Sequence, residues 1–148
     1  MGCFGVFWGI CGTPVPRLEP AIRLPKSRRL SNDEKPDAIV FELGDGLLGA
    51  YGVEAILRDK EIVNVITSLV LCANDPVGAW GGSKLLREEF GIEPTVISGP
   101  ATDNQVGIDI IRERSNVAAI NAMTHSAELG DLLQASIGLG SRLAKAAG

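Results

Sequence analysis

From residue 37 onward, short apolar runs alternate with longer amphipathic stretches. "AIVFEL" (38–43), "SLVLCA" (68–73), "PTVISG" (94–99) and "VAAINA" (117–122) have the length and composition of buried strands. Between them, "VEAILRDKEIVNVI" (53–66) has helical character. "SKLLREEFG" (83–91) places Leu85, Leu86 and Phe90 on one helical face, with Gly91 as its stop. "QVGIDIIRERS" (105–115) predicts a further helix carrying Val106, Ile108, Ile110 and Ile111, and the chain turns helical again from about Ser126. The segments "GDGLLGAYG" (44–52), "NDPVGAWGG" (74–82) and "PATDN" (100–104) read as loops, because Gly, Asn, Asp and Pro dominate them.

Strands that alternate with helices predict an α/β fold. The expected architecture is a mainly parallel sheet of about four strands with helices on both faces, since near-continuous apolar strands suit a sheet covered twice. Crossovers should be right-handed. In such a sheet the C-terminal strand ends share one rim, and ligands bind there. That rim would collect Asp45, Asn74, Asp75, Thr102, Asp103, Asn104, Asn121 and His125.

The first 36 residues break this pattern. They hold six Lys/Arg against three Asp/Glu, whereas residues 37–148 hold eight against fifteen. Residues 1–16 are uncharged, without the basic start of a secretory signal, and are short for a membrane span. Val6 stands where a myristoylation pattern wants Ser or Thr. Residues 17–36 contain three prolines and read as an extended linker; "RRLS" matches a basophilic kinase site at Ser31, but a solvated linker explains it as well. The expected division is an arm over 1–36 and one folded domain over 37–148. The domain begins abruptly near Asp37, as though an N-terminal half were missing.

Composition narrows the function. At 148 residues, with 45% hydrophobic and 22% charged residues, one soluble domain with a real core is expected. A net charge of −4 argues against a nucleic-acid surface. Cys3, Cys11 and Cys72 form no CxxC pair and His125 is the single histidine, so a structural zinc site lacks ligands. Reduced thiols and a cytoplasmic setting are expected.

The candidate chemistry centres on "IVFELGDGLLGAYG" (39–52). An apolar strand ending in acids resembles a Walker B arrangement, so Glu42 and Asp45 are candidate Mg²⁺ ligands beside nucleotide phosphates. A carboxylate at Glu42, inside a strand, would be costly to bury unpaired. The plainer reading of "GDG" is a tight turn. Gly44 and Gly46 could present backbone amides to phosphate. With Gly49 they form a GxGxxG string, but the acid that dinucleotide binding needs about 20 residues later is misplaced. "GAWGGSK" (78–84) fails as a Walker A loop, because Ser83 and Leu85 stand where Gly and Ser/Thr are required. Asp75, Asp103 and Asn104 are candidate helix caps as well as ligand contacts. Trp80 and Tyr51 could stack on a ring or cover the sheet end. No GxSxG elbow exists to pair with His125, which reads as a loop residue without catalytic duty.

"DAIVFELGDGLLGAYG" and "SLVLCANDPVGAWGGSKLLREEFGIEPTVISGP" resemble the later half of P-loop proteins related to dethiobiotin synthetase. The likeness spans roughly residues 37–122 and rests on the order and spacing of elements. It implies Glu42 as the metal-proximal acid and a nucleotide base near Gly99, Pro100 and Asn104; the shared strand-end rim, not the resemblance, adds Asn74 and Asp103 as ligand contacts. The family's Walker A loop precedes this region and has no counterpart in residues 1–36.

The sequence thus supports an ATP and Mg²⁺ site as the first expectation. Rossmann-like NAD(P) binding and a non-catalytic interaction module are the alternatives. The expected partner is a small-molecule nucleotide rather than nucleic acid or membrane. A second copy of the chain or the missing N-terminal half are the macromolecular alternatives.

Overall fold

The computed structural model describes residues 6–9, 40–43, 46–48 and 52–136. The elements run β1 (Val6–Gly9), β2 (Val40–Leu43), α1 (Val53–Arg58), α2 (Lys60–Val63), β3 (Ser68–Cys72), α3 (Pro76–Phe90), β4 (Val96–Ser98), α4 (Gln105–Ser115), β5 (Ala118–Ala119) and α5 (Ser126–Ser136). A single 3₁₀ turn (Pro100–Thr102) links β4 to α4.

The protein is α/β, and its parallel sheet is the three strands β3, β4 and β5. The whole sheet has the order β2-β1-β3-β4-β5. β1 lies inside the segment expected to be an arm, and it pairs antiparallel with both β2 and β3. Four residues flanked by glycine carry too little periodicity to announce a strand; only pairing with distant partners creates one. Val6 stands opposite both Leu43 and Leu71. β2 and β3 therefore run in one direction, held apart by β1.

Strand alternation divides the core. Phe41, Leu43, Leu69, Leu71, Ile97 and Ala119 belong to the larger cluster, with Leu57 of α1, Leu86 of α3 and Ile111 of α4. Val70, Val96 and Ile120 belong to a smaller cluster completed by Leu129, Leu132 and Leu133 of α5. This split follows from the two-residue period of a strand.

Local chemistry moved several boundaries. The expected helix over 53–66 is two short helices. Asp59 is extended between them and its carboxylate accepts from Glu61 N at 2.9 Å, which starts α2. The expected loop over 74–82 is mostly helix, because α3 begins at Pro76. Asp75 is its N-cap, accepting from Gly78 N at 2.8 Å, and Pro76 at the first position needs no N–H partner. Gly82 is tolerated because the helix lies against the sheet there; a Cβ would meet Leu71 at 3.2 Å. Trp80, expected in a loop, is on the outer side of α3.

The helical tips are tied down by arginines. Arg87 of α3 donates to both oxygens of Glu93 at 2.5 and 2.6 Å and to the Ser115 carbonyl at the end of α4. That pairing holds the Glu93 carboxyl below the usual carboxylate range. Arg112 donates to the Ala119 carbonyl at 3.0 Å and so covers part of the outer edge of β5. No helix among the described residues is long and apolar enough to cross a membrane.

The cap at Asp75 has a measurable weight. Asp75→Ala should lower stability by about 1 kcal/mol, read by urea denaturation, whereas Asp75→Asn should retain most of it.

Candidate functional site

The rim at the C-terminal ends of β3, β4 and β5 is held by a continuous set of hydrogen bonds. Ala73 N donates to Ser98 O at 3.0 Å, and Ala101 N donates to Ala73 O at 2.9 Å. The chain after β4 is therefore folded back onto the end of β3. Gly99 makes this approach possible. Its φ is +87° and ψ −170°, and a Cβ there would lie 2.8 Å from Ala73 O. Only glycine adopts that backbone without strain.

Asn121 joins this segment to the loop after β5. Its side chain is buried, with 6% exposure. Its amide nitrogen donates to Thr102 O at 3.1 Å and to Asp103 Oδ1 at 2.9 Å. Its amide oxygen accepts from Met123 N at 2.9 Å and Thr124 N at 3.0 Å. A buried amide with every polar atom matched fixes both loops at once. Beneath it, the buried Ser98 hydroxyl accepts from Ala122 N at 3.2 Å, and Thr102 Oγ1 donates to Gly99 O at 2.7 Å.

Two helices open onto the same rim. Asn104 caps α4, accepting from Gly107 N at 2.9 Å, as Asp75 caps α3. The partial positive charge of each helix start faces this edge. Gly107 also sits against the backbone of Ala101, where a Cβ would collide.

The structure brings Asn74, Asp75, Gly99, Pro100, Thr102, Asp103, Asn104 and Asn121 to this rim. Asn74, Pro100, Asp103 and Asn104 are exposed there. His125 is also exposed, precedes α5, and shares a 2.7 Å hydrogen bond between its Nδ1 and Thr124 Oγ1. Glu42 stands apart. It is one residue from the end of β2, level with Val70 across β1. Two strand spacings put β2 roughly 10 Å from β3. Glu42 is exposed on the face opposite Phe41 and Leu43, so no burial cost demands a partner for it. Gly46 is half-buried, while Gly44, Asp45 and Tyr51 lie outside the described residues.

Among the described residues, no group of three or more His, Cys, Asp or Glu side chains gathers to hold a metal. Mg²⁺ on a nucleotide needs less, because phosphate and water oxygens supply most of its ligands and one or two carboxylates suffice. Among the described residues the donors form no preformed cage; a metal arriving with its phosphates would need only one or two carboxylates.

A cavity of about 190 Å³ lies at the opposite edge of the sheet, lined by Ile66, Ser68, Leu69, Ile92 and Thr95 among others. Thr95 Oγ1 accepts from Leu69 N at 3.0 Å, which ties the start of β3 to the chain before β4. Glu93, the carboxylate in its wall, is already paired with Arg87. The rim, with exposed Asn74 and Asp103 and two helix starts, is the better place for a polar ligand.

Fold and rim together define an α/β domain with a preorganised set of loops at the C-terminal strand ends. No protein-family pattern, curated protein or solved structure matches the chain.

The sequence pointed to Asn121 only as one of several polar residues near the rim. Its position at the end of an apolar strand was the available signal: a polar side chain there is buried and must be matched.

Proposed function

We propose that this domain binds a nucleotide, ATP with Mg²⁺, across the rim. The observation that carries the reading is the Asn121 lock. It holds the 3₁₀ turn and the loop after β5 in fixed relation, next to two helix starts that favour negative charge. In this reading the base would contact Gly99, Pro100, Asp103 and Asn104, and Asn74, Gly44 and Gly46 would serve the phosphates. Glu42 and Asp45 would hold the Mg²⁺, which would offset phosphate charge. β2, which runs in the direction of β3, would be a fourth strand end serving the rim, with helices on both faces of the sheet. The resemblance to P-loop proteins related to dethiobiotin synthetase supports the same reading, as a divergent or partial relative acting in the cytoplasm.

Titration calorimetry tests it. ATP should bind with Mg²⁺ present, Glu42→Gln should weaken the binding about tenfold, and Mg²⁺ alone should give no heat. NADPH binding without metal would replace this reading with a Rossmann-like one. No binding of either nucleotide would leave a non-catalytic interaction module.

A further inference from the structure

The outer faces of α3 and α4 carry exposed apolar residues, and the Lys84 ammonium reaches over the Trp80 ring, 5.8 Å from its centroid. Val77 and Trp80 on α3 are 74% and 44% exposed, and Val106 and Ile110 on α4 are 68% and 40% exposed. Single exposed apolar residues are ordinary, but four together are not. Beside Trp80, Gly81 has nothing within 4 Å of where its Cβ would be, so another surface can come close to the α3 backbone.

The two helices pack side by side and both start at the rim. Their levels match, because Arg87, eleven residues into α3, reaches the Ser115 carbonyl, ten residues into α4. Val77 and Val106 are therefore level, and Trp80 and Ile110 follow about one turn on. Lys84 and Glu113, each eight residues past the helix start, are level too, and both are exposed.

This layout complements itself. A two-fold axis parallel to the helices lays α3 of one copy over α4 of the other. Apolar residues then meet apolar residues at equal height, and Lys84 of each copy faces Glu113 of the other. Lys84 already contacts Glu88 at 3.8 Å and the Trp80 ring at 5.8 Å; both are exposed and weak, so turning its ammonium to Glu113 uncovers Trp80 at little cost. We infer that two copies of this chain associate through the α3–α4 face, with Trp80 as the central anchor.

The face is small. Helices of 15 and 11 residues are about 22 and 17 Å long. Side by side they offer on the order of 400 Å² per copy, below the standard size for a specific pair. The dimer is accordingly weak, with a dissociation constant in the micromolar range.

Sedimentation velocity of the full chain across the micromolar range should show a monomer–dimer equilibrium. Trp80→Glu should raise the dissociation constant at least about tenfold. The double change Val77→Lys with Val106→Lys, at the two most exposed positions of the patch, should do the same and guards against misfolding of the Trp80 variant. Circular dichroism checks that helix content is kept. Lys84→Glu and Glu113→Lys should each weaken the dimer, and combining them should restore it. A monomer at all concentrations, a dimer indifferent to the apolar changes, or a failed restoration by the charge swap would each overturn the inference.

Discussion

Gly99→Ala is expected to be among the most damaging single changes available in this chain. Two costs add. The backbone at Gly99 lies where residues with a side chain pay about 1–3 kcal/mol. The new methyl would also press on Ala73 O, which cannot retreat, because Ala73 is hydrogen-bonded through its N–H to Ser98 and through its carbonyl to Ala101. Together these should cost about 4 kcal/mol, near the upper range for a point change. Thermal unfolding should move down on the order of 10 °C. A substitution tolerated within a degree or two would mean the link between β3 and the 3₁₀ turn is not as described.

Asn121→Ala should cost about 3 kcal/mol. It strands Met123 N and Thr124 N without their acceptor and Thr102 O and Asp103 Oδ1 without their donor. Denaturant titration would read the loss. Asn121→Asp separates the two halves of the role. It keeps an acceptor for the loop after β5 but sets a carboxylate against Asp103 and Thr102 O. That proximity raises the folded-state pKa of the new acid above its unfolded value. Stability is then regained as pH falls below the ordinary carboxylate range and lost again as pH rises through the raised value. A variant whose deficit does not depend on pH would sink the assignment of Asn121 as a donor to Asp103.

The parts of the fold visible in the sequence are those governed by local rules. α4 matched its expected span because Asn104 caps it and Ile108 and Ile111 pack on the core, while Val106 and Ile110 face outward. β3 and β4 were legible as uninterrupted apolar runs with strand-forming residues. α3 was only half legible. Its glycines suggested a loop, yet Asp75-Pro76 is a helix start, and the packing of Gly82 on Leu71 offsets the poor intrinsic preference. β1 was not legible at all, since its existence depends on partners about 35 and 65 positions away in the chain.

The rim itself was foreseeable from strand direction, and six of its polar residues were named from loop composition alone. The division of labour among them was not. Asp75 and Asn104 spend their side chains on capping, and Asn121 spends its own on holding loops together. Asp103 lends one oxygen to Asn121 and keeps its exposed side toward solvent. Composition cannot distinguish a structural asparagine from a ligand-facing aspartate, because both favour the same turns.

The insertion of β1 also sets an order of assembly. β3, α3, β4, α4 and β5 follow one another within about fifty residues, so this half can close through short-range steps. β1 must then find a slot between two strands made from later parts of the chain, and among the described residues β2 has no neighbour in the sheet but β1. Nascent chains should therefore complete the three-stranded half first, with the outer pair joining in a slower, final docking event. Until that event Glu42 has no fixed position relative to the remaining strands.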